Sequence, residues 1–191
     1  MFFGGASDAA VRVAGKHADV YMLWGESLEQ TREIVERVRA EAARHGRRIE
    51  FSLSFRPIIA ATEEQAWAKA DNILHSARER IEQAGPALAK KTESVGAQRL
   101  LQTVAKGERV DSRLWTGIAG LVGGSQNSTA LVGTPEQVAD ALLEYYDLGI
   151  SHFLIRGFDP LNDAVEYGRE LIPLIRAKVA ERDRQQAARR A

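Results

Sequence analysis

Three short groups of residues carry side chains or backbone that could do chemistry: Gly4-Gly5-Ala6-Ser7-Asp8, Trp24-Gly25-Glu26 and Arg56. The first follows the apolar run Met1-Phe2-Phe3 and leads into a helical pattern. A strand, a glycine turn and a helix N-terminus make an anion cradle, where free amides and the helix dipole draw in a phosphate. The amides of Gly5, Ala6 and Ser7 would face such an anion, with the Ser7 hydroxyl as a further donor. The same residues also suit a plain strand-to-helix turn capped by Ser7 or Asp8. Trp24 ends an apolar run and could wall a pocket or fill a core. Arg56 lies in an otherwise apolar strand, where a charge requires a partner. Its guanidinium can hold an anion or join a structural ion pair, but it cannot serve as a base near neutral pH.

The bulk composition narrows the setting of these groups. At 191 residues, 45% hydrophobic and 27% charged, the chain has the make-up of an ordinary globular protein with a sizeable core. Lys+Arg and Asp+Glu both number 26, so no net charge points to nucleic acid or an anionic membrane. Cysteine is absent, which excludes disulfides, thiolate nucleophiles and Cys-based metal sites. His17, His45, His75 and His152 are scattered without metal-ligand spacing, and no metal site is expected. No apolar stretch nears the roughly 18 residues of a membrane span, and a cytoplasmic protein is the default expectation.

The elements that must position the three groups read as alternating strands and helices. Asp8–His17 is expected as a short helix and Asp19–Trp24 as a buried strand. Ser27-Leu28-Glu29-Gln30 is a capping box, in which two side chains satisfy two orphan amides reciprocally. It opens a helix bearing Ile34, Val35, Val38 and Ala42, stopped at Gly46. Ile49–Ala60 reads as one strand, with Pro57 near its end or at a bulge. Thr62-Glu63-Glu64-Gln65 opens the next helix, which carries Trp67, Ala70, Ile73, Leu74 and Ile81 and ends at Gly85-Pro86. Thr134-Pro135-Glu136-Gln137 opens another helix, stopped at Gly149. Ser151–Arg156 is the last strand, and Gly157-Phe158-Asp159-Pro160 turns into a terminal helix.

Residues 86–133 break this rhythm. A helical piece near Ser94–Lys106 precedes a glycine-rich, weakly charged stretch, expected as a long functional loop. The whole is four βα units with one insertion, hence α/β with a parallel sheet and right-handed crossovers. Four units fit an open sandwich or half of an eight-stranded barrel, whose full length is about 250 residues.

The ordered set FFGGASDAA, DVYMLWGES, the strand with FRPII, TALVGTPEQVADAL and GISHFLIRGFDPL resembles the C-terminal half of the bacterial luciferase-like flavin monooxygenases. Within them it is most similar to the FMNH2-dependent alkanesulfonate monooxygenases. The resemblance implies a (β/α)8 TIM-barrel family fold, of which residues 1–191 form a C-terminal half-barrel of four βα units. Phe2-Phe3 would then belong to the fifth strand, and residues 86–133 would be an insertion or lid before the last unit. The implied activity is a two-component monooxygenase: reduced FMN from a separate flavin reductase reacts with O2 and oxygenates a small organic substrate. Organosulfur compounds are the candidate class, and the deazaflavin F420 stays open as an alternative cofactor.

Carried over residue by residue, Gly4, Gly5, Ala6 and Ser7 match the family's FMN-phosphate segment Gly-Gly-Ser-Ser, with Ala6 replacing its first Ser. Ser54-Phe55-Arg56 matches an Arg-x-His pattern, so Ser stands at the Arg position and Arg56 at the His position. Val122 replaces a lid Arg. Phe158 replaces the Tyr of a Gly-Tyr-Pro-His stretch. Arg56, Trp24 and Phe158 are therefore the expected catalytic-site residues, while the departures leave the sulfonate substrate open. The alternative is a catalytically incomplete half-barrel that needs a second chain, either another copy or an N-terminal half-barrel.

Overall fold

The computed structural model describes residues 1–84, 94–125 and 127–190, so the expected helix end at Gly85-Pro86 lies outside the described residues. In chain order the first part contains β1 (Phe2–Gly4), α1 (Asp8–His17), β2 (Val20–Trp24), α2 (Leu28–Arg44), β3 (Glu50–Phe55), β4 (Ile58–Ile59) and α3 (Glu63–Ala84). The middle holds α4 (Val95–Ala105), β5 (Arg109–Val110), β6 (Leu114–Trp115), α5 (Gly117–Leu121) and β7 (Ala130–Gly133). Next come α6 (Pro135–Asp147), β8 (His152–Ile155), α7 (Pro160–Glu166), a π-helical turn over Tyr167–Leu171, and α8 (Ile172–Arg190).

β1, β2, β3 and β8 form a parallel sheet in that order. Register pairs Tyr21 with Phe51 and Leu53 with Phe153, so alternate residues face the same side. One face presents Tyr21, Leu23, Phe51, Leu53 and Phe55, which form a single core with Ile34, Val35 and Val38 of α2 and Val138, Leu142 and Tyr145 of α6. The other face presents Met22, Trp24, Ser52, Ser54 and Leu154, with Met22 42% and Leu154 56% exposed. The helices thus cover one side of the sheet and leave the other open.

Two expectations are corrected here. Ile49–Ala60 is not one strand: it breaks at Arg56-Pro57, where proline has no amide for the ladder. β4 beyond the break leaves the first sheet and pairs with β7, Ile58 opposite Val132. Nor is the glycine-rich stretch a long loop. It contains β6, α5 and β7, with β5 just before it, and the three strands join β4 in a second sheet ordered β4-β7-β6-β5. Its packing partners explain why: Trp115, Ile118 and Val132 share a second core with Ile58, Trp67 and Leu74. Apolar residues without long periodicity gave short strands and a five-residue helix, too brief to leave a sequence signal.

The expected capping boxes form to different degrees: at Thr62 only the Gln65 amide is capped, and the Gln65 side chain does not return. At Thr134 both halves of the capping box are present. At Ser27 the hydroxyl accepts the Gln30 amide, but the Gln30 side chain meets the Ser27 hydroxyl and not its backbone amide. Its Nε2 donates to the Arg99 carbonyl and its Oε1 accepts from Ser27 and from Thr103, at 3.0, 2.9 and 2.6 Å. The Leu28 amide is taken instead by Asp111 Oδ2 at 2.6 Å, a cap supplied from the insertion.

A second long-range tie holds the start of α3. The Glu63 carboxylate forms an ion pair with Arg113 Nη1 at 2.6 Å and accepts from Gln137 Nε2 at 2.8 Å and Trp67 Nε1 at 3.3 Å. Arg113 first, then Gln137 and Trp67, lower its pKa from an ordinary 4.5 to about 2. A depressed carboxylate pKa stabilises the fold above the unfolded value, and that contribution is lost as pH falls through the folded one. Urea unfolding midpoints should therefore drop between pH 4.5 and about 2 in the native chain. In Glu63→Gln the drop over that window should be smaller; an unchanged slope would show that this tie does not operate.

Candidate functional site

The open face of the first sheet ends in a cavity of about 620 Å³ at the C-terminal ends of the strands. Register builds it row by row: Gly4 stands opposite Met22, Met22 opposite Ser52, Trp24 opposite Ser54, and Ser54 opposite Leu154. All of these residues line the cavity, and the insertion adds Gly96, Arg99 and Asn127. Such a site, apolar-walled with few polar groups at the strand ends, is where α/β proteins bind small molecules.

The glycine turn forms one end of it. Gly5 has φ +143°, and a Cβ there would lie 2.9 Å from Ala10 Cβ, so the turn requires glycine. Tyr21 donates its hydroxyl to the Gly5 carbonyl, which fixes the turn against β2. Ser7 is the N-cap of α1: its Oγ accepts the Ala10 amide at 3.2 Å. The hydroxyl hydrogen is free for another acceptor, and among the described residues the Ala6 and Ser7 amides have no backbone partner. The turn is thus a capped helix start that still presents donors.

Trp24 is half-buried and lines the cavity, and it reaches across to the insertion. A Cβ on Gly96 would lie 3.3 Å from its indole ring, so α4 packs directly over it. Gly25 behind it is held by close approach: an added Cβ would fall 2.1 Å from the Phe55 ring. Asn127 donates to Ser54 Oγ at 2.6 Å, and its own Oδ1 is buried without a partner. A buried acceptor left open is costly, and a ligand N–H at this position would satisfy it.

Residues 1–152 match the family of luciferase-like monooxygenases. The chain belongs to that family. Among solved structures, DmoA from Hyphomicrobium sulfonivorans superposes with a TM-score of 0.66 at 21% identity, over 93% of this chain and 41% of that one. Riboflavin lyase RcaE, solved with modified FMN and riboflavin, gives 0.63 at 22% identity over 93% and 42%. Long-chain alkane monooxygenase LadA gives 0.63 at 19% over 93% and 41%. The fold is thus the luciferase-like, TIM-barrel-type α/β fold, and the chain spans about two fifths of the length of these proteins. Among the described residues no helix is long and apolar enough to cross a membrane, and no group of His, Asp and Glu could hold a metal.

Within this luciferase-like chain, the expected site residues divide into two places. Gly4, Gly5, Ala6 and Trp24 share the cavity, and Ser7 lies beside it in a shallower pocket with Arg37 and Arg99. Arg56 and Phe158 meet each other instead, with the guanidinium 5.0 Å from the ring centre. Arg56 also donates to the carbonyls of Asn127 and Gly157 at 2.9 and 2.8 Å. Neither is among the residues that line the cavity, and Phe158 faces a separate groove beside α3. Arg56 therefore acts as a latch between the insertion and the turn after the last strand, with carbonyls in place of an ion-pair partner.

The strongest electrostatic feature of the site was invisible to motif reading. Arg99, on α4, is buried against Glu26, at the end of β2, with Nε and Nη2 at 2.7–3.0 Å from its carboxylate. Nη1 reaches Glu33 at 2.6 Å, and Nη2 also donates to the Gln30 carbonyl at 2.9 Å. Burial pushes the Glu26 carboxyl up, and Arg99 opposes that shift. Burial alone would lower the Arg99 guanidinium, but Glu26 and then Glu33 outweigh it and raise it. The one signal in the sequence is that Arg99 is the sole charged residue of Val95–Ala105, 73 positions from its partner.

Breaking such a pair from one side strands the other charge in a dry place, at about 3–5 kcal/mol. Arg99→Met should lose on the order of that amount at neutral pH by urea unfolding. With Glu26 raised and unopposed, the variant should regain stability as pH falls toward the protonated form. Adding Glu26→Gln should recover much of the loss. A double-variant loss equal to the sum of the Arg99→Met and Glu26→Gln losses would show that the pair carries no coupling.

Proposed function

We propose that this chain forms the C-terminal half-barrel of a flavin-dependent, two-component monooxygenase. Its cofactor would be FMN in the reduced form, FMNH2, supplied by a separate flavin reductase, and its co-substrate O2. The observation that carries this reading is the cavity itself: a glycine turn and capped helix start at one end, and an apolar wall of Met22, Trp24 and Leu154 along the open sheet face. Gly4, Gly5, Ala6 and Ser7 would hold the phosphate, as free amides at a helix N-terminus do. Trp24 would lie against the ring system, and the open acceptor of Asn127 would take a ring N–H. Bound reduced flavin would supply the two electrons with which one oxygen atom enters the substrate and the other leaves as water. The protein's part is to hold the ring, orient the substrate and keep water out. The insertion, already over Trp24 through Gly96, is proposed as the covering segment.

RcaE is described with modified FMN, and a reductase from Methanopyrus kandleri at TM-score 0.51 as dependent on F420, so FMN is placed first and F420 second. Organosulfur compounds, as in alkanesulfonate monooxygenases, are the substrate class to screen first. A second reading is favoured by the sheet. β1 and β8 each have one strand neighbour among the described residues, and Phe2 is 58% exposed. We infer that further strands complete the site, from a longer chain, an N-terminal half-barrel partner or a second copy, without which activity is incomplete.

Titration with FMN and with anaerobically reduced FMN, followed by fluorescence, tests the cradle. Saturable binding is expected, and Ser7→Asp should weaken it at least about tenfold, because a carboxylate beside a phosphate is repelled. Aspartate is as good an N-cap as serine, so the thermal midpoint should stay put. No saturable binding of either redox form would overturn the proposal.

A further inference from the structure

We propose that Arg156 is the anion-recognising residue of the cavity, and that the compound bound beside it is a small organic acid with an apolar body. This rests on reading the cavity as the site of flavin and substrate. Arg156 directly follows β8, its amide held by the Phe55 carbonyl, and it lines the cavity next to Leu154. Among the described residues no carboxylate pairs with it. The other charges that line the cavity cancel, since Glu26 is bound by Arg99.

Arg56 reinforces the imbalance. Its guanidinium meets two carbonyls and a ring face, none of which carries a charge, so its charge is not neutralised. Burial and then the nearby Arg156 charge both disfavour its charged form. Two guanidinium groups in Coulomb range with no acid between them attract an anion. The apolar body has its own wall, Met22, Trp24 and Leu154, on the same sheet face. A flavin phosphate is the other anion in play, but its cradle lies on β1 and Arg156 on β8, at opposite edges of the four-stranded sheet. Three strand spacings of about 4.8 Å separate those edges.

The test is calorimetric titration of the purified chain, with and without FMN, using hexanoate, hexanesulfonate and hexan-1-ol at low ionic strength. Both acids should bind at least about tenfold more tightly than the alcohol, the size of one charge-assisted contact. Arg156→Gln should remove that preference while the alcohol, FMN and riboflavin bind as before; Arg156→Lys should keep part of it. Alcohol and acids binding alike, neither acid binding, or no change in Arg156→Gln would overturn the assignment. If Arg156→Gln instead weakens FMN but not riboflavin, the residue holds the flavin phosphate and the proposal falls. Acid preference lost in Arg156→Gln, in a chain that binds no flavin, would support the anion site and remove the flavin reading.

Discussion

Glu26 is withdrawn from water almost entirely, and a carboxylate in that position requires a cation of fixed geometry beside it. Arg99 supplies it from a helix more than seventy residues away, and this contact sets where the insertion lies. Around it the Gln30 side chain, Thr103 and the Lys106–Glu29 pair join α2 to α4, while Asp111 caps the first amide of α2. The Lys106–Glu29 pair alone would be an ordinary surface contact, while the Gln30 and Thr103 bonds are buried. Grouped around a buried charge pair they define one docking position, which brings α4 over Trp24 and gives the cavity its second wall.

The sheet beneath follows a different constraint. Parallel strands are ordinarily covered on both faces, and their sequences read as continuous apolar runs. Here only the face toward α2 and α6 is packed with large apolar groups. The opposite face mixes Ser52 and Ser54 with exposed Met22 and Leu154, a composition suited to a ligand and not to a helix. In a barrel that face points inward, so the polarity of its residues fits the fold of the family to which the chain belongs.

Much of this was legible in the residues. The alternation of α1, β2, α2 and α6 with their caps followed from local rules, because capping boxes and apolar periodicity are short-range signals. The glycine turn was legible for the same reason: Gly5 marks a backbone conformation, and Ser7 marks a helix start. What could not be read was set by distance along the chain. Gln30 left its capping box because Arg99 and Thr103 offered better partners, and no spacing rule joins residue 30 to residue 99. The second sheet escaped notice because its strands β5 and β6 are two residues long and stable only by packing around Trp115.

Arg56 and Arg156 show how little residue type alone decides. Both are arginines at strand ends on the same rim, and the first drew attention because its strand is apolar. Two of its five N–H groups are held by the carbonyls of Asn127 and Gly157, so it binds the insertion to the turn after the last strand, and it is not among the residues that line the cavity. That use of Arg56 is what leaves Arg156 distinctive. The latch holds the backbone next to Arg156, and its unneutralised charge discourages any further cation there. An exposed guanidinium with no acid partner among the described residues, on a fixed strand end beside an apolar wall, is then the one charge lining the cavity that no opposite charge of the described chain balances.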